Sequence, residues 1–512
     1  MQAHERLPEL GRRERPPVPD GPYIVLGLGE AGRAAAGALA RTRGSEQVLA
    51  FDHRPDVVPK RVRRALRKLG VRTHLGSPEA LLDLPPAAAT MIRSPGVPID
   101  APLVREAIGR GIEVIDEAEL GWRLAGAPIV AVTGTNGKTT TATLATAVLS
   151  SSGIDARLAG NADIAPALSA VLGEPDLIVC EVSSFQLEAC PALLPEAAIF
   201  TNLSHDHLPR HGTMRRYGEV KRSLFLKDGE AVPLAVVDTT EEFGQDLARH
   251  VERGGGRSVR VGTGPDCAYR IRRARWDLRS AELVLDTPDG RLEIETRLPG
   301  QFNARNVAAV VALADSLGVR RRDVVDTIAT HPGAPGRFEH IDCGQPADVI
   351  LDTATTPAAV EQFLTSVQAG MDTGGRVRVV LGVLGGADPE QRREMGGIAR
   401  RNCDELLLTA GSFRRNPPLQ ALEGLVAGAM AVPGAEVSII PDREEAIAAA
   451  FRGMAEGDVI AVLGRGIVVE SIHHRKLDDR GVLSRLARSP VGLDEAAIRE
   501  LDMEVEQGGV GR

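Results

Sequence analysis

Gly134-Thr135-Asn136-Gly137-Lys138-Thr139-Thr140 follows an apolar run, Pro128 to Val132, and precedes a helix-like stretch from Ala142 to Leu149. A glycine loop between strand and helix turns backbone N–H groups and a helix N-terminus toward an anion. Lys138 supplies a point charge for outer phosphates, and the Thr139 hydroxyl supplies a magnesium ligand. The spacing departs from G-x-x-x-x-G-K-[ST], which needs glycine where Val132 stands, so this is a shorter variant. The loop points to a nucleoside triphosphate and leaves the reaction open.

Polar side chains downstream narrow it. Glu181 ends an apolar run and is followed by Ser183 and Ser184; Asn202 to His207 and then Arg210-His211-Gly212 follow a second run. A hard dication bridging phosphates takes oxygen ligands, so Thr139 and Glu181 form a candidate first magnesium site. His207, beside Asp206, is a candidate for a second. Histidines at strand ends are also often plain hydrogen-bonded loop residues. Against that stands the concentration of Glu181, Asp206, His207 and Lys221 behind one phosphate loop.

A second glycine turn lies near the N-terminus. Tyr23 to Leu26 leads into Gly27-Leu28-Gly29-Glu30-Ala31-Gly32, and a later apolar run ends at Asp52. This βαβ opening suits a dinucleotide or another diphosphate, with Asp52 placed for a ribose. A nicotinamide dehydrogenase is its generic reading. The basic run Lys60 to Lys68 reads as a solvated helix face.

These sites need several elements to position them. A chain of 512 residues exceeds one core. The apolar runs alternate with helical stretches in three blocks, which predicts an α/β fold of three domains. Residues 21–126 form a Rossmann-like domain and 127–333 a central P-loop ATPase domain with a mostly parallel sheet. Residues 334–490 form a second Rossmann-like domain. Residues 1–20 and 491–512 read as tails, the first disordered. A net charge of −8 disfavours nucleic acid as a main partner. Five scattered cysteines without a C-x-x-C pair suit a reducing cytoplasm. No apolar stretch reaches membrane-spanning length, so no membrane insertion is expected.

The ordered series of motifs resembles the Mur ligases, ATP-dependent amide ligases of peptidoglycan assembly. The matching residues are Gly134 to Thr140, Glu181 to Glu188, Thr201-Asn202-Leu203, Asp206-His207-Leu208, Arg210 to Met214 with Tyr217 and Lys221, Asn303 and Asn306, and Gly336 to Glu339. The resemblance implies that Gly134, Thr135, Asn136, Gly137, Lys138, Thr139 and Thr140 hold ATP phosphates. It places Asn303, Asn306, Arg337 and Asp352 around the rest of the nucleotide. Thr139, Glu181, His207 and Lys221 would serve magnesium, Lys221 as a carbamylated lysine, and Lys138, His207 and Lys221 form the catalytic set. A substrate carboxylate would attack the γ-phosphate to give an acyl phosphate, which an amino acid amine then opens.

Within the family, Gly29, Glu30, Asp52 and Ser94 resemble the UDP-gripping pattern of the member that adds D-glutamate to UDP-N-acetylmuramoyl-L-alanine; Asn161, Ser183 and Arg414 complete the implied substrate set. Asp352-Thr353-Ala354-Thr355-Thr356-Pro357 and Gly464-Arg465-Gly466 are instead nearer the member that adds a diamino acid third. The resemblance implies glutamate addition to a UDP-linked muramoyl acceptor by a monomeric enzyme. The alternatives are a paralogue with another amino acid or a non-cell-wall acceptor, and a non-catalytic nucleotide-binding homologue.

Overall fold

The computed structural model describes residues 10, 13–54, 58–76, 90–161, 163–342, 344–371, 374–383, 388–411, 420–466, 470–472 and 475–487. It is an α/β architecture of three main sheets in chain order.

The first sheet contains β1 (Tyr23–Leu26), β2 (Val48–Asp52), β3 (Arg72–Leu75), β4 (Thr90–Arg93) and β5 (Glu113–Asp116). They are all parallel, in the order β3-β2-β1-β4-β5. The winding reverses between β1 and β4, and an open parallel sheet binds ligands outside such a reversal. The helix Glu30–Thr42 packs so tightly there that a Cβ on Gly32 would stand 1.8 Å from the Gly27 carbonyl oxygen.

The second sheet is built from β6 (Ile129–Thr133), β7 (Ala156–Gly160), β8 (Leu177–Glu181) and β9 (Ala197–Phe200), extended beyond a small hairpin of β10 (Leu226–Lys227) and β11 (Glu230–Ala231). The extension is β12 (Leu234–Asp238), β13 (Arg257–Gly262), β14 (Tyr269–Trp276), β15 (Ala281–Thr287) and β16 (Gly290–Thr296). The order is β16-β15-β14-β13-β12-β9-β6-β8-β7, and only the β14-β15-β16 meander is antiparallel. Every residue of β6 is buried, as expected of an apolar strand covered on both faces. Val130 and Val132 pack with Leu144, Val148, Val307 and Val311 on one face. Ile129 and Ala131 pack with a cluster containing Leu224, Phe225 and Leu247 on the other. Because β6 lies between β8 and β9, the loops leaving all three meet at one sheet edge.

The third sheet contains β17 (Glu339–His340), β18 (Asp348–Asp352), β19 (Val377–Leu381), β20 (Glu405–Leu408), β21 (Glu436–Ile439) and β22 (Val459–Leu463). Its order is β17-β18-β22-β19-β20-β21, parallel except for β17. A short antiparallel pair, β23 (Glu470–Ile472) and β24 (Arg475–Leu477), follows. Among the described residues no helix is long and apolar enough to cross a membrane.

Two arginines tie the first sheet to the second. Arg93, fully buried at the end of β4, donates to Asp116 Oδ2 at 3.0 Å, to Glu188 Oε2 at 3.3 Å and to the carbonyls of Val97 and Phe185. Arg15 donates to the carbonyls of Trp122, Ala125 and Ala127 and to Glu196, and its guanidinium lies over the Trp122 ring. Residues 13–20 were expected within a disordered tail. They instead pack along the first two sheets, because Arg15 satisfies carbonyls where the chain passes from one sheet to the next, and Val18 joins the first core.

Replacing Arg93 with alanine leaves two buried carboxylates short of a partner, a change that costs about 3–5 kcal/mol. Denaturant unfolding of Arg93→Ala measures it, and a loss under ~1 kcal/mol would show that this network does not hold the two sheets together.

Candidate active site

The helix Lys138–Ser151 begins directly at the glycine loop, earlier than the sequence reading placed it, so Lys138 and Thr139 occupy its first turn. Gly137 has φ +82°, and a Cβ there would approach Asn306 Oδ1 to 2.5 Å. Both facts require glycine. Asn306 in turn donates to Asn303 Oδ1 at 3.1 Å, and Asn303 donates to the Pro299 carbonyl at 2.8 Å. The helix Gln301–Ser316 thereby presents a fixed amide beside the loop.

Residues after β9 hold the loop open. Thr201 Oγ1 and Asn202 Nδ2 both donate to the Asn136 carbonyl, at 2.6 and 3.0 Å, and Asn202 Oδ1 accepts from Asn136 N–H. Thr135 Oγ1 lies 3.2 Å from the Tyr217 hydroxyl. Thr201, Asn202 and Tyr217 were recognised in sequence only as motif members, and their work is this bracing.

Two lysines, Lys221 buried and Lys138 half-buried, converge on one carbonyl. Lys138 Nζ donates to Gly134 O at 3.1 Å and to Thr135 O at 2.6 Å; Lys221 Nζ donates to the same Gly134 O at 2.6 Å. Lys221 is 1% exposed and sits 4.6 Å from the Tyr217 ring centroid. Burial pushes its ammonium well below the usual lysine range, and the Lys138 charge pushes it further. Burial also lowers Lys138, with Glu181 opposing and Arg337 adding to the effect. Two cations this close favour the neutral amine unless an anion joins them.

Glu181 ends β8 with Oε2 accepting from Thr139 Oγ1 at 2.8 Å. A magnesium ion is implied here, and the donors fit one bridging phosphates: a hydroxyl and a carboxylate oxygen from the protein, the rest from substrate and water. Among the described residues no three His, Cys, Asp or Glu side chains converge as an all-protein metal cage. His207 takes a left-handed φ of 54°, with Nε2 3.1 Å from Asp206 Oδ2 and its ring 4.7 Å from that of Phe185. Burial lowers its pKa, opposed by Asp206. A non-glycine residue in this region is uncommon and marks a constrained position.

The third sheet completes the site. A cavity of about 190 Å³ runs between the phosphate loop and the end of β18, bounded by Lys138, His207, Asn306, Arg337 and Asp352. Asp352 Oδ2 accepts from Phe338 N–H at 2.7 Å; burial raises this carboxyl, with Arg337 opposing. Gln391 Nε2 donates to the His205 carbonyl at 3.0 Å, a direct bond from the third sheet's layer to the loop carrying His207.

A larger cavity of about 850 Å³ opens at the reversal of the first sheet. Gly29, Glu30, Asp52, Ser94 and Asn161 all line it. Asp52 braces the glycine turn, its Oδ2 accepting from Leu28 N–H at 2.8 Å, and Ser94 Oγ donates to Gly27 O at 3.0 Å. His53, Arg54 and Glu117 also line this cavity and were not singled out in the sequence. His53 and Arg54 were legible in principle, since they directly follow the strand-ending Asp52. Ser183 does not line it: its hydroxyl caps the short helix Ser184–Leu187 by pairing with Gln186. Arg414 lies outside the described residues.

His211, 8% exposed, packs between Ser184 and Tyr217, with Nε2 3.0 Å from Ser184 Oγ and its ring stacked on that of Tyr217. Burial lowers its pKa to about 4. The neutral ring therefore contributes stability that is full above pH ~6.5, the unfolded value, and is lost as the pH falls toward about 4. Denaturant unfolding between these pH values is expected to lose less stability in His211→Gln than in the unaltered protein; equal losses would contradict a buried neutral imidazole. Gly137→Ala is expected to weaken ATP binding at least about tenfold by displacing Asn306. Calorimetric titration with ATP reads this, and unchanged affinity would show that the loop is not the phosphate cradle.

Comparison with known proteins agrees with this geometry. Residues 132–314 match the Mur ligase middle domain, and residues 336–466 match the Mur ligase glutamate ligase domain. The UDP-N-acetylmuramoylalanine–D-glutamate ligase of Microcystis aeruginosa is 31% identical over 341 residues, 65% of this chain and 72% of the relative. The UDP-N-acetylmuramoyl-L-alanyl-D-glutamate–2,6-diaminopimelate ligase of Chromobacterium violaceum is 33% identical over 292 residues, covering 57% of this chain and 58% of the relative. The crystal structure of UDP-N-acetylmuramate-alanine ligase from Thermotoga maritima superposes with a TM-score of 0.61 at 20% identity, over 94% of this chain and 99% of that one. With its loop, its three sheets and these matches, the chain belongs to the Mur ligase family.

Proposed function

We propose that this chain is an ATP-dependent acid–amino acid ligase that extends a UDP-linked muramoyl acceptor through an acyl phosphate. UDP-N-acetylmuramoyl-L-alanine is the acceptor of first choice and glutamate the amino acid. The observation that carries the reading is the convergence of Lys138 and Lys221 on Gly134, with the Thr139–Glu181 pair beside them. Phosphate-bracing cations at a loop that lines one cavity, with a second, larger cavity at the first sheet, suit phosphoryl transfer between two bound molecules.

The chemistry then divides among the chain's own residues. The large cavity holds the UDP portion against Gly29, Glu30, Asp52, Ser94 and Asn161, so that the acceptor carboxylate extends toward the loop. A carboxylate oxygen attacks the γ-phosphorus, the bond to the β-phosphate oxygen breaks, and Lys138 stabilises charge on the departing ADP. Magnesium held by Thr139 and Glu181, with His207 nearby, would supply Lewis-acid neutralisation of the phosphate oxygens. The incoming amine then attacks the acyl carbon, loses a proton, and expels phosphate as the amide forms. Arg337, Asp352 and the third sheet close over the nucleotide and keep water from the acyl phosphate.

Lys221 fits the carbamate reading because a neutral buried amine is the form that adds to CO2, forming an N–C bond and releasing one proton. The product is an oxygen-rich anion beside Lys138. A second reading concerns the amino acid alone. Both relatives above are close to 30% identical yet named for different additions, and Thr353 to Thr356 lines the nucleotide cavity in a sequence nearer the third-step pattern.

Phosphate release from ATP, measured with UDP-N-acetylmuramoyl-L-alanine and a panel of amino acids, tests the proposal. Release with glutamate supports the first choice. Release only with UDP-N-acetylmuramoyl-L-alanyl-D-glutamate and a diamino acid moves the chain to that step. Hydride transfer with a nicotinamide dinucleotide, and no phosphate release, would overturn it. Lys138→Ala is expected to lose turnover at least about 100-fold with the fold retained. For Lys221, ¹³C-bicarbonate is expected to give a carbamate carbon signal absent in Lys221→Ala, and depletion of CO2 is expected to lower activity. An unchanged rate without CO2 and no signal would refute the modification.

A further inference from the structure

The large cavity presents an electrostatic problem. Four carboxyl-bearing residues line it, Glu30, Asp52, Glu117 and Asp163, against one arginine, Arg54. The chain as a whole carries a net charge of −8. A nucleotide-sugar diphosphate is itself a multiple anion, so near contacts alone bring it into an acidic pocket on an acidic protein. Not all of them add charge: burial pushes the Glu117 carboxyl well above the usual carboxylate range, which favours its neutral form, and Asp52 accepts two backbone N–H groups, so Glu30, Asp52 and Asp163 carry the acidity.

The charge that opposes this lies on the next element of the chain after Arg54. Between Arg54 and Arg72 the sequence holds Arg54, Lys60, Arg61, Arg63, Arg64, Arg67, Lys68 and Arg72 against a single acid, Asp56. The helix Lys60–Lys68 buries only Val62 and Leu66, which anchor it on the first core. Lys60, Arg61, Arg64, Arg67 and Lys68 are exposed, and none of them forms an ion pair with a described residue. A helix following a parallel strand starts at that strand's C-terminal edge. Here that is the edge of β2 at Asp52, so the helix begins on the side where the cavity opens and runs back along the domain.

Resting on the proposed UDP-linked acceptor, we infer that the basic helix Lys60–Lys68 supplies the long-range attractive field that draws and holds the anionic acceptor in the first-sheet cavity. Its residues act through space and touch neither the reacting atoms nor ATP. Low-dielectric walls focus such a field into a cleft, and its reach is set by the Debye length. Five cations on one short helix, none ion-paired with a described residue, have no structural need of one another; like charges at i, i+3 and i+4 mildly destabilise a helix. Their clustering at an acidic cleft is what the field explains.

UDP is the probe that separates this inference from the reading it rests on. Titration of UDP into the full chain and into the variant K60E/R61E/R64E/R67E, at about 0.01 M and about 1 M salt, gives four affinities. Debye lengths there are ~30 and ~3 Å. The variant is expected to bind UDP about tenfold more weakly at low salt and within about twofold at high salt, with the KM for ATP and kcat unchanged. The neutral variant K60Q/R61Q/R64Q/R67Q is expected to fall between, and its melting temperature guards against a folding defect. Absence of UDP binding in the unaltered chain would overturn the acceptor reading itself. UDP binding equal in all three chains at low salt would overturn the inference, as would an equal loss of ATP affinity. Binding of the unaltered chain to anionic phospholipid vesicles, with UDP affinity unaffected by the substitutions, would assign the helix to a membrane surface instead.

Discussion

Two lysine side chains donating to one buried backbone carbonyl form the constraint around which the rest is arranged. Lys138 and Lys221 both reach Gly134 O, and each has its charge disfavoured by burial. Like charges at this separation in a poorly solvated site are costly unless an anion compensates them. The protein offers two nearby carboxylates, Glu181, whose Oε2 accepts from Thr139, and Asp206, which lies against His207. A triphosphate, and a carbamate on Lys221, would both relieve the same excess of positive charge. The energetic logic of the site is thus a cationic pocket held ready by backbone geometry, with the bracing done by Asn202, Thr201 and Tyr217.

That pocket needs three sheet edges at once. The loop after β6 supplies Lys138, the end of β8 supplies Glu181, and the loop after β9 supplies Thr201 to His207. The position of β6 between β8 and β9 makes these neighbours although they are far apart in sequence. The first sheet contributes a separate cavity, fixed against the second by Arg93, Glu188 and Arg210. Arg210 grips Glu188 through two nitrogens and also donates to the Val97 carbonyl in the turn after β4. The third sheet meets the loop through Gln391, and its seam with the second sheet also carries Arg279 donating to Asp348 at 2.7 Å and Trp276 Nε1 donating to the Ser366 carbonyl at 3.0 Å.

Much of this was legible in the chain because buried parallel strands announce themselves as apolar runs. β1, β6, β8, β9, β18, β19 and β22 each read that way, and the glycine loops followed two of them. Among the strands not legible in the sequence are β3, whose Arg72 and Thr73 are exposed at a sheet edge, and β7, whose Arg157 turns aside to the carbonyl of Ser169. Neither has an apolar pattern to find. The work of Arg15 was hidden for another reason: its partners lie more than 100 residues away, and a charged residue in a proline-bearing segment gives no local sign of docking. For the site, residue types singled out Lys138, Thr139 and Glu181, and the fold brings the three together at the glycine loop. The sharing of Gly134 O by Lys221 emerges only from the folded arrangement, whereas the capping role of Ser183 is already written in its spacing to Gln186. Lys221 alone resembles any lysine on an amphipathic helix, and its burial depends on Tyr217 and the loop it packs beneath.

The central claim is that the acceptor's carboxylate takes the γ-phosphoryl group before the amide forms. Labelling that carboxylate with ¹⁸O and analysing the released phosphate by mass spectrometry tests it most directly. An acyl phosphate route transfers one labelled oxygen from the acceptor into each phosphate released during amide formation. Phosphate that carries only unlabelled oxygen while amide accumulates would contradict the account.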